Sequence, residues 1–234
     1  MIELDPAFSP YSSSQSGNTS FPVTVSGSGL KLVVVISAVV GQADSISTIT
    51  YNGNSFNDNG GTTSTNVSQT IYSTSPSANG TVEITTGTDV DPFRYHLAAI
   101  LVQNVNPATS ISVSASNGSG TDPSTSDNTQ TWDFSLAALT AYGSTTATGG
   151  SQTEAWNESS GAGANRMRVA GAYKTSTYPT TSLSWTLSLS TDYIVTFIKI
   201  PGFPYYVSTP AYTSTPAYAS TPTVVGSPTR VVIP

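Results

Sequence analysis

Short runs of alternating apolar and polar residues dominate the chain up to residue 200. In the clearest of them, 182–189, every second residue is Leu or Trp, the period of a strand with one buried face. Two other runs, 30–40 and 94–104, are almost continuously apolar, as expected for strands that are covered on both faces. The dipeptide Asn52-Gly53 follows a further run and predicts a tight hairpin.

Helical periodicity is nearly absent from the same region. Only 134–142 fits a helix and a strand equally well. Gly60-Gly61 predicts a turn between strands, and the stretch 117–123 predicts a long polar loop. About ten or more short strands at this spacing indicate an antiparallel sandwich or barrel rather than a sheet with crossover helices. The sequence therefore predicts one all-β domain over residues 1–200.

The composition changes after residue 200, and we expect residues 201–234 to form a separate extended arm. From Pro204 to the end, every sixth residue is proline. Within this stretch a Tyr-x-Ser-Thr-Pro hexad occurs three times, with its aromatic and proline positions at Tyr206, Tyr212, Tyr218, Pro210, Pro216 and Pro222. Because six is a multiple of both two and three, a strand-like path and a polyproline path would each place the tyrosines on one side.

Two interpretations of this arm follow from the residues. Proline removes a backbone donor in every hexad, which excludes a central strand, and the polar composition suits a disordered tail. The regular tyrosines favour the other interpretation, an arm laid along a partner, since a solvated linker gains nothing from evenly spaced aromatic rings. We expect Tyr206, Tyr212 and Tyr218, with the three hexad prolines, to contact that partner.

The charge and the cysteine content exclude several classes of partner and binding site. Charged residues make up 9% of the chain, against about 25% in an average soluble domain, so Ser, Thr, Asn and Gly must cover the surface. The net charge is −6 and the seven basic residues are scattered, which argues against nucleic acid as a partner. The absence of cysteine excludes disulfides and thiolate metal sites. We also expect no secretion signal and no membrane span.

Candidate catalytic and metal-binding residues are few, and we expect no enzyme activity and no cofactor. His96 is the only histidine and lies inside an apolar run, which favours a structural role over catalysis. Asp89 with Asp91, and Asp122 with Asp127, offer oxygens to Ca²⁺, but no calcium-loop pattern surrounds them. We interpret both pairs as loop residues.

Two tryptophans are the candidate ligand-stacking residues. Trp156 lies between Glu154 and Glu158, and a carboxylate pair beside an aromatic ring occurs in glycoside hydrolysis. The better interpretation is a loop that exposes Trp156 for stacking on a sugar or for contact with a subunit. Trp132 is the second candidate for such stacking.

Several strand patterns are similar to a known group of domains. They are Ile2-Glu-Leu-Asp5, Thr19-Ser-Phe-Pro-Val-Thr-Val-Ser-Gly27, Leu30-Lys-Leu-Val-Val-Val-Ile-Ser37, Ile46-Ser-Thr-Ile-Thr-Tyr-Asn-Gly53, Met167-Arg-Val-Ala-Gly-Ala-Tyr-Lys174 and Ser182-Leu-Ser-Trp-Thr-Leu-Ser188. Together with the closing strand they resemble, over about residues 2–200, a β-sandwich domain of phage virion structural proteins and bacterial surface proteins. The resemblance implies a jelly-roll-like sandwich on a virion or cell surface, and it supplies no catalytic residues.

Two hypotheses about function follow. The first is a virion structural protein, most specifically a phage capsid decoration protein or a related head or tail accessory protein. Its arm would bind neighbouring subunits, other virion proteins or further copies in a homo-oligomer. The second is a carbohydrate-binding or adhesive module of a tail fibre or surface filament, which would take a host glycan on Trp132 and Trp156.

Overall fold

The structure, a computed structural model, describes residues 2–40, 46–87, 94–106, 109–160, 166–176 and 179–203. These residues form eighteen strands and no helix, and every strand pair is antiparallel, which confirms the predicted all-β class. The strands are β1 (Glu3–Leu4), β2 (Tyr11–Ser16), β3 (Thr19–Val23), β4 (Lys31–Val39), β5 (Ile46–Tyr51), β6 (Asn54–Ser55), β7 (Asn57–Thr63), β8 (Val67–Thr74), β9 (Gly80–Thr86), β10 (Arg94–Gln103), β11 (Ser112–Gly120), β12 (Ser124–Asn128), β13 (Phe134–Tyr142), β14 (Ala147–Gly149), β15 (Thr153–Ser160), β16 (Met167–Thr175), β17 (Thr180–Leu187) and β18 (Thr191–Ile200).

The strands form four sheets, two in each half of the chain. In the first half, residues 2–106, the large sheet has the order β2-β10-β4-β8-β7, and β1 extends it by pairing with the end of β10. The small sheet has the order β3-β9-β5-β6. In the second half, residues 109–203, the large sheet is β11-β18-β13-β16-β15 and the small sheet is β12-β17-β14.

The two halves share one topology. If β1 and β6 are set aside, each half has eight strands, and these lie in the order 1-8-3-6-5 in the large sheet and 2-7-4 in the small one. A strand that returns beside the first, with sheets that alternate along the chain, is jelly-roll connectivity. The predicted jelly-roll-like sandwich is therefore present twice, where the sequence predicts one sandwich over residues 1–200.

The halves pack through their large sheets. In β4, Leu32, Val34 and Ile36 face the core of the first sandwich, while Val33 and Val35 belong to a second core that also contains apolar residues of β13 and β18. A third core lies inside the second sandwich. The central strands are thus covered on both faces, which confirms the interpretation of the apolar runs and explains why they do not alternate.

A local two-fold relation connects the halves. Ser37 and Thr140 occupy the same position in the equivalent strands β4 and β13, and their hydroxyl oxygens are 2.6 Å apart across the interface. Val67 and Met167, also equivalent, lie in one apolar cluster. Contact between equivalent residues is the property of a two-fold interface. The relation also places β2 beside β15 and β7 beside β11.

Local predictions had mixed outcomes. The hairpin at Asn52-Gly53 is confirmed by the pairing of Tyr51 with Asn54, and the ambiguous run 134–142 is strand β13. The predicted turn at Gly60-Gly61 is wrong, because both residues lie inside β7. The predicted long loop at 117–123 is also wrong, because β11 continues to Gly120 through hydroxyl-rich residues that pair with β18.

The chain divides into a compact unit, Met1–Pro204, and a second unit, Tyr205–Pro234. The second unit lies outside the described residues, so the predictions for the arm stay predictions. Within the residues that the structure describes, no helix has the length and apolar character needed to span a membrane.

Candidate binding cleft between the two halves

The interface between the halves has two equivalent edges, and the first difference between their residues lies at a bulge in the edge strands β7 and β15. In β7, one extra residue lies between the residues that pair with Tyr72 and Thr70 of β8. In β15, one extra residue lies between the residues that pair with Ala172 and Gly171 of β16. These bulges occupy equivalent places in the two large sheets. The residue after the extra one is Gly60 in β7 and Trp156 in β15. Gly60 has φ +95°, a left-handed conformation that favours glycine.

The edge formed by β2 and β15 is closed. Trp156 is 5% exposed and packs on Gly171, where a Cβ atom would lie 2.1 Å from the indole ring. Only a glycine at 171 therefore leaves room for this ring. Beside it, the Ser14 hydroxyl donates to the Ser160 hydroxyl at 2.8 Å and joins the two edge strands.

A second aromatic group closes the same edge. Phe134, the first residue of β13, stacks on Tyr173 with ring centroids 5.4 Å apart. At the opposite edge the first residue of β4 is Lys31, and the position equivalent to Tyr173 is Ser73, because each pairs with the third residue of its strand. Phe, Tyr and Trp at one edge are thus replaced by Lys, Ser and Gly at the other.

The edge formed by β7 and β11 is consequently open, and we call it the β7–β11 cleft. It contains two adjoining cavities of about 240 and 420 Å³, and Asn59 lines both. The other residues of the smaller cavity are Gly60, Gly61, Thr62, Gln69, Ile71, Val113, Ala115 and Thr196. Those of the larger are Lys31, Asn57, Asp58, Ser73, Ser75, Thr109, Ser110 and Ile111.

Lys31 is the main charged group of the larger cavity. It is only 5% exposed, and its ammonium donates to the Ser75 hydroxyl at 2.9 Å. Burial lowers the pKa of Lys31. Among the described residues no carboxylate lies within ion-pair distance of this ammonium, although Asp58 lines the same cavity. A buried lysine normally has a charged partner, so this ammonium has donors available for a ligand.

Gln69 lines the smaller cavity and carries a buried acceptor without a partner in the described ranges. Its side chain is 1% exposed, and its amide nitrogen donates to the Thr140 hydroxyl at 2.8 Å. Its Oε1 atom is buried without a hydrogen-bond partner among the described residues. Ile71 and Val113 form apolar walls beside it. A buried acceptor without a partner is costly, so a donor from a ligand would stabilise this site.

A serine and a histidine also lie close together outside the cleft. The Ser12 hydroxyl is 2.7 Å from Nε2 of His96. His96 is 1% exposed, its Nδ1 atom has no partner in the described part of the chain, and burial lowers its pKa to about 4. The imidazole thus lacks the acceptor that orients the base in a catalytic triad. This geometry agrees with the structural interpretation of His96.

His96 should make the stability of the protein depend on pH. Since its pKa falls from 6.5 to about 4 on folding, the favourable contribution is complete above pH 6.5 and is lost as the pH falls toward 4. The full shift corresponds to about 3 kcal/mol of unfolding free energy. Ile194 is the equivalent residue of the other half, because His96 pairs with Ser37 and Ile194 with Thr140. Urea unfolding of His96→Ile should therefore show a much smaller loss of stability between pH 7 and 4. An equal loss in both proteins would contradict this assignment.

The tryptophan predictions need one correction. Trp156 lies on strand β15 and is buried, so the prediction of an exposed loop tryptophan is wrong, and this ring is not available for stacking on a sugar. Glu154, which precedes it, is exposed and accepts a hydrogen bond from Asn157 at 2.7 Å. Trp132 lies in the turn before β13 and is half-buried. The structure therefore does not place the two tryptophans on one exposed loop surface.

The remaining candidates lie apart from the cleft or outside the described residues. Asp127 pairs with Lys199 at 3.4 Å, and exposed Asp122 accepts a hydrogen bond from Thr121. In the described ranges, no group of three or more His, Asp or Glu residues is arranged to hold a metal ion. Asp89 and Asp91, the arm tyrosines and the arm prolines lie outside the described residues.

The cleft residues were not predicted from the sequence. Lys31 opens one of the two most apolar runs, and a lysine there is the only local signal that a buried charge needs a partner. Gly60 and Ser73 carry no such signal. Their importance depends on the comparison with Trp156 and Tyr173, which requires the strand register of both halves.

Comparison with known proteins gives no relative. No family model matches the chain, and neither a curated protein nor a solved structure matches it. The resemblance to phage and bacterial surface domains stays a prediction.

Proposed function

We propose that the protein is a non-catalytic structural protein of a particle surface, most specifically a phage capsid decoration protein or a related head or tail accessory protein on the virion. The observation that carries the proposal is the pair of stacked jelly rolls with a hydroxyl-rich surface and few charges. Jelly rolls occur in viral capsid proteins and in lectins, and this support is an analogy of fold.

The arm supplies the proposed means of attachment. An extended segment makes small contacts along a long path and becomes ordered when a partner binds it. As an extended polyproline chain, residues 201–234 would reach on the order of 100 Å. The proposed partners are neighbouring virion subunits, including further copies of this chain, and the proposed contacts are Tyr206, Tyr212 and Tyr218.

Removing the arm tyrosines tests this function. The full chain with Tyr206, Tyr212 and Tyr218 changed to serine should fold normally but no longer co-sediment with particles that lack the native protein. Each buried aromatic ring contributes on the order of 1–3 kcal/mol, and three together would dominate a thin contact. The matched control changes Ser208, Ser214 and Ser220 to alanine and should retain binding. Full retention of the triple Tyr→Ser variant would remove the main support for the proposal.

A second candidate function is a carbohydrate-binding or adhesive module of a tail fibre or surface filament. The observation that favours it is the polar cavity of the β7–β11 cleft, in which a buried lysine lies near amide and hydroxyl groups. With Trp156 buried, the cleft takes the place of this ring as the candidate site for a host glycan, and half-buried Trp132 stays a separate candidate.

A further inference from the structure

We propose that the β7–β11 cleft is a binding site for a neutral saccharide of one to three sugar rings. The inference gives the second candidate function its site, and it does not depend on the arm or on attachment to a particle. It rests on the difference between the two edges of the interface, on the charges of the cleft and on two buried polar groups without sufficient partners.

The difference between the edges shows which part of the interface is free for a ligand. At the closed edge, Trp156 and the Phe134–Tyr173 stack fill the space between the sheets. At the equivalent positions of the open edge, Gly60, Lys31 and Ser73 leave the two cavities. The same two-sheet interface can therefore be filled by apolar rings, and the polar cleft is not a necessity of this packing.

The charges of the cleft favour a neutral ligand. The buried Lys31 ammonium and the exposed Asp58 carboxylate line the same cavity with opposite charges, so their sum favours neither a metal ion nor an anion. The Asp58 carboxylate also accepts the backbone N–H of Gly60 at 2.8 Å, which holds it at the bulge. A neutral ligand that donates and accepts hydrogen bonds satisfies both groups.

The polar groups select a ligand with many hydroxyls. The Lys31 ammonium can donate to ring or hydroxyl oxygens, and Oε1 of Gln69 requires a donor. Asn57, Asn59 and Ser73 also line the larger cavity, and the Asn59 amide nitrogen donates to the Ser73 hydroxyl at 2.9 Å. A sugar hydroxyl both donates and accepts, so it can satisfy the ammonium in the larger cavity or the side-chain carbonyl oxygen of Gln69, which lines the smaller one.

The apolar walls agree with the same ligand. Ile71 and Val113 line the smaller cavity together with Gln69. A pyranose ring presents C–H groups on its faces and hydroxyls at its rim, and it can pack on such walls while its rim reaches the polar atoms. The volumes of about 240 and 420 Å³ accommodate a small oligosaccharide.

Closing the cleft with the residues of the other edge provides the test. The double variant Lys31→Phe with Ser73→Tyr copies the Phe134–Tyr173 stack, so it should fold and melt at the same or a higher temperature than the wild type. Its matched control, Thr186→Tyr, adds a tyrosine on an exposed strand position. The full-length proteins are titrated with methyl α-glucopyranoside, methyl α-galactopyranoside, N-acetylglucosamine and maltotriose, and binding is measured by saturation-transfer NMR and calorimetry.

We expect saturable binding of at least one of these sugars to the wild type and to Thr186→Tyr, and no binding to the closed variant. A single change, Lys31→Met, keeps the apolar stem and should weaken binding about tenfold or more, the value of one charge-assisted hydrogen bond; it replaces the double variant if that variant does not fold. The proposal is overturned if none of the four sugars binds the wild type. It is also overturned if the folded cleft variants bind as the wild type does, or if sulfate or glycine displaces the sugar.

Discussion

Replacing Asp5 by alanine is expected to lower the free energy of unfolding by about 4 kcal/mol, one of the two largest single-residue effects expected for this protein. Asp5 is 1% exposed. Its carboxylate accepts hydrogen bonds from the backbone N–H groups of Ala7 at 2.8 Å, Ser26 at 3.0 Å and Gly27 at 3.0 Å, and from the Ser26 hydroxyl at 2.7 Å. Alanine leaves these donors without an acceptor, at a cost of about 1–3 kcal/mol each.

The pKa of Asp5 predicts where this contribution is lost. Burial raises the pKa, but the hydrogen bonds from Ser26, Ala7 and Gly27 outweigh it, and the pKa lies below its usual value of 3.8. A depressed pKa means that the contribution is complete above pH 3.8 and is lost as the pH falls below that value. The titration of His96 occurs at higher pH, between 6.5 and about 4, so the two effects fall in separate ranges.

Urea unfolding at pH 7 checks the prediction for Asp5. Asp5→Asn keeps one acceptor oxygen and should lose less stability than Asp5→Ala. Glu83→Ala, on an exposed strand position, is the control and should change the free energy by less than about 0.5 kcal/mol. A loss below about 1 kcal/mol for Asp5→Ala would show that water replaces the carboxylate at this loop.

The fold class could be predicted because the alternation of apolar and polar residues, together with turn residues, directly indicates strands with one buried face. The strand 182–189 and the hairpin at Asn52-Gly53 are examples. Hydroxyl-rich segments were missed: alternation through Ile111 and Val113 predicts a strand over 110–116, but the rest of β11 and all of β12 have too few apolar residues to alternate. The duplication was missed as well, because equivalent strands keep their position and burial but not their residues: the apolar run of β4 corresponds to a run of Leu, Ala and Thr in β13.

The candidate site could not be predicted from residue types alone. Trp156 looked like a ligand-binding residue because two glutamates and polar residues surround it in the sequence. Its burial depends on Gly171, which is distant along the chain and lies opposite it in the sheet. Lys31 and Gln69, which line the cleft, have neighbours that are ordinary strand residues. The pairing register of strands that are distant in sequence determines which of these side chains packs against a ring and which lines a cavity. No local sequence pattern encodes that register.

Substitutions at Trp156 and Gly171 test whether the burial of the indole ring depends on the glycine. Trp156→Ala should lower the free energy of unfolding by about 3–5 kcal/mol, the usual cost of removing a buried tryptophan. Gly171→Ile alone should also destabilise the protein, because a Cβ atom at 171 would lie 2.1 Å from the indole ring. In the double variant, Trp156→Ala with Gly171→Ile, the isoleucine side chain enters the space that the indole ring leaves. A similar arrangement exists in the other half, where Ile71 occupies the position equivalent to Gly171 and lines the same cavity as Gly60.

The double variant should therefore be more stable than the sum of the single changes implies, with a coupling energy of about 1–3 kcal/mol in a double-mutant cycle measured by urea unfolding. The matched control cycle pairs Trp156→Ala with Thr186→Ile, an exposed change remote in the sheet order, and should be additive. Additive losses for Trp156 and Gly171 would mean that the two edges of the interface are not equivalent in packing. A negligible loss for Trp156→Ala would instead return this ring to the surface and to the list of ligand-stacking residues.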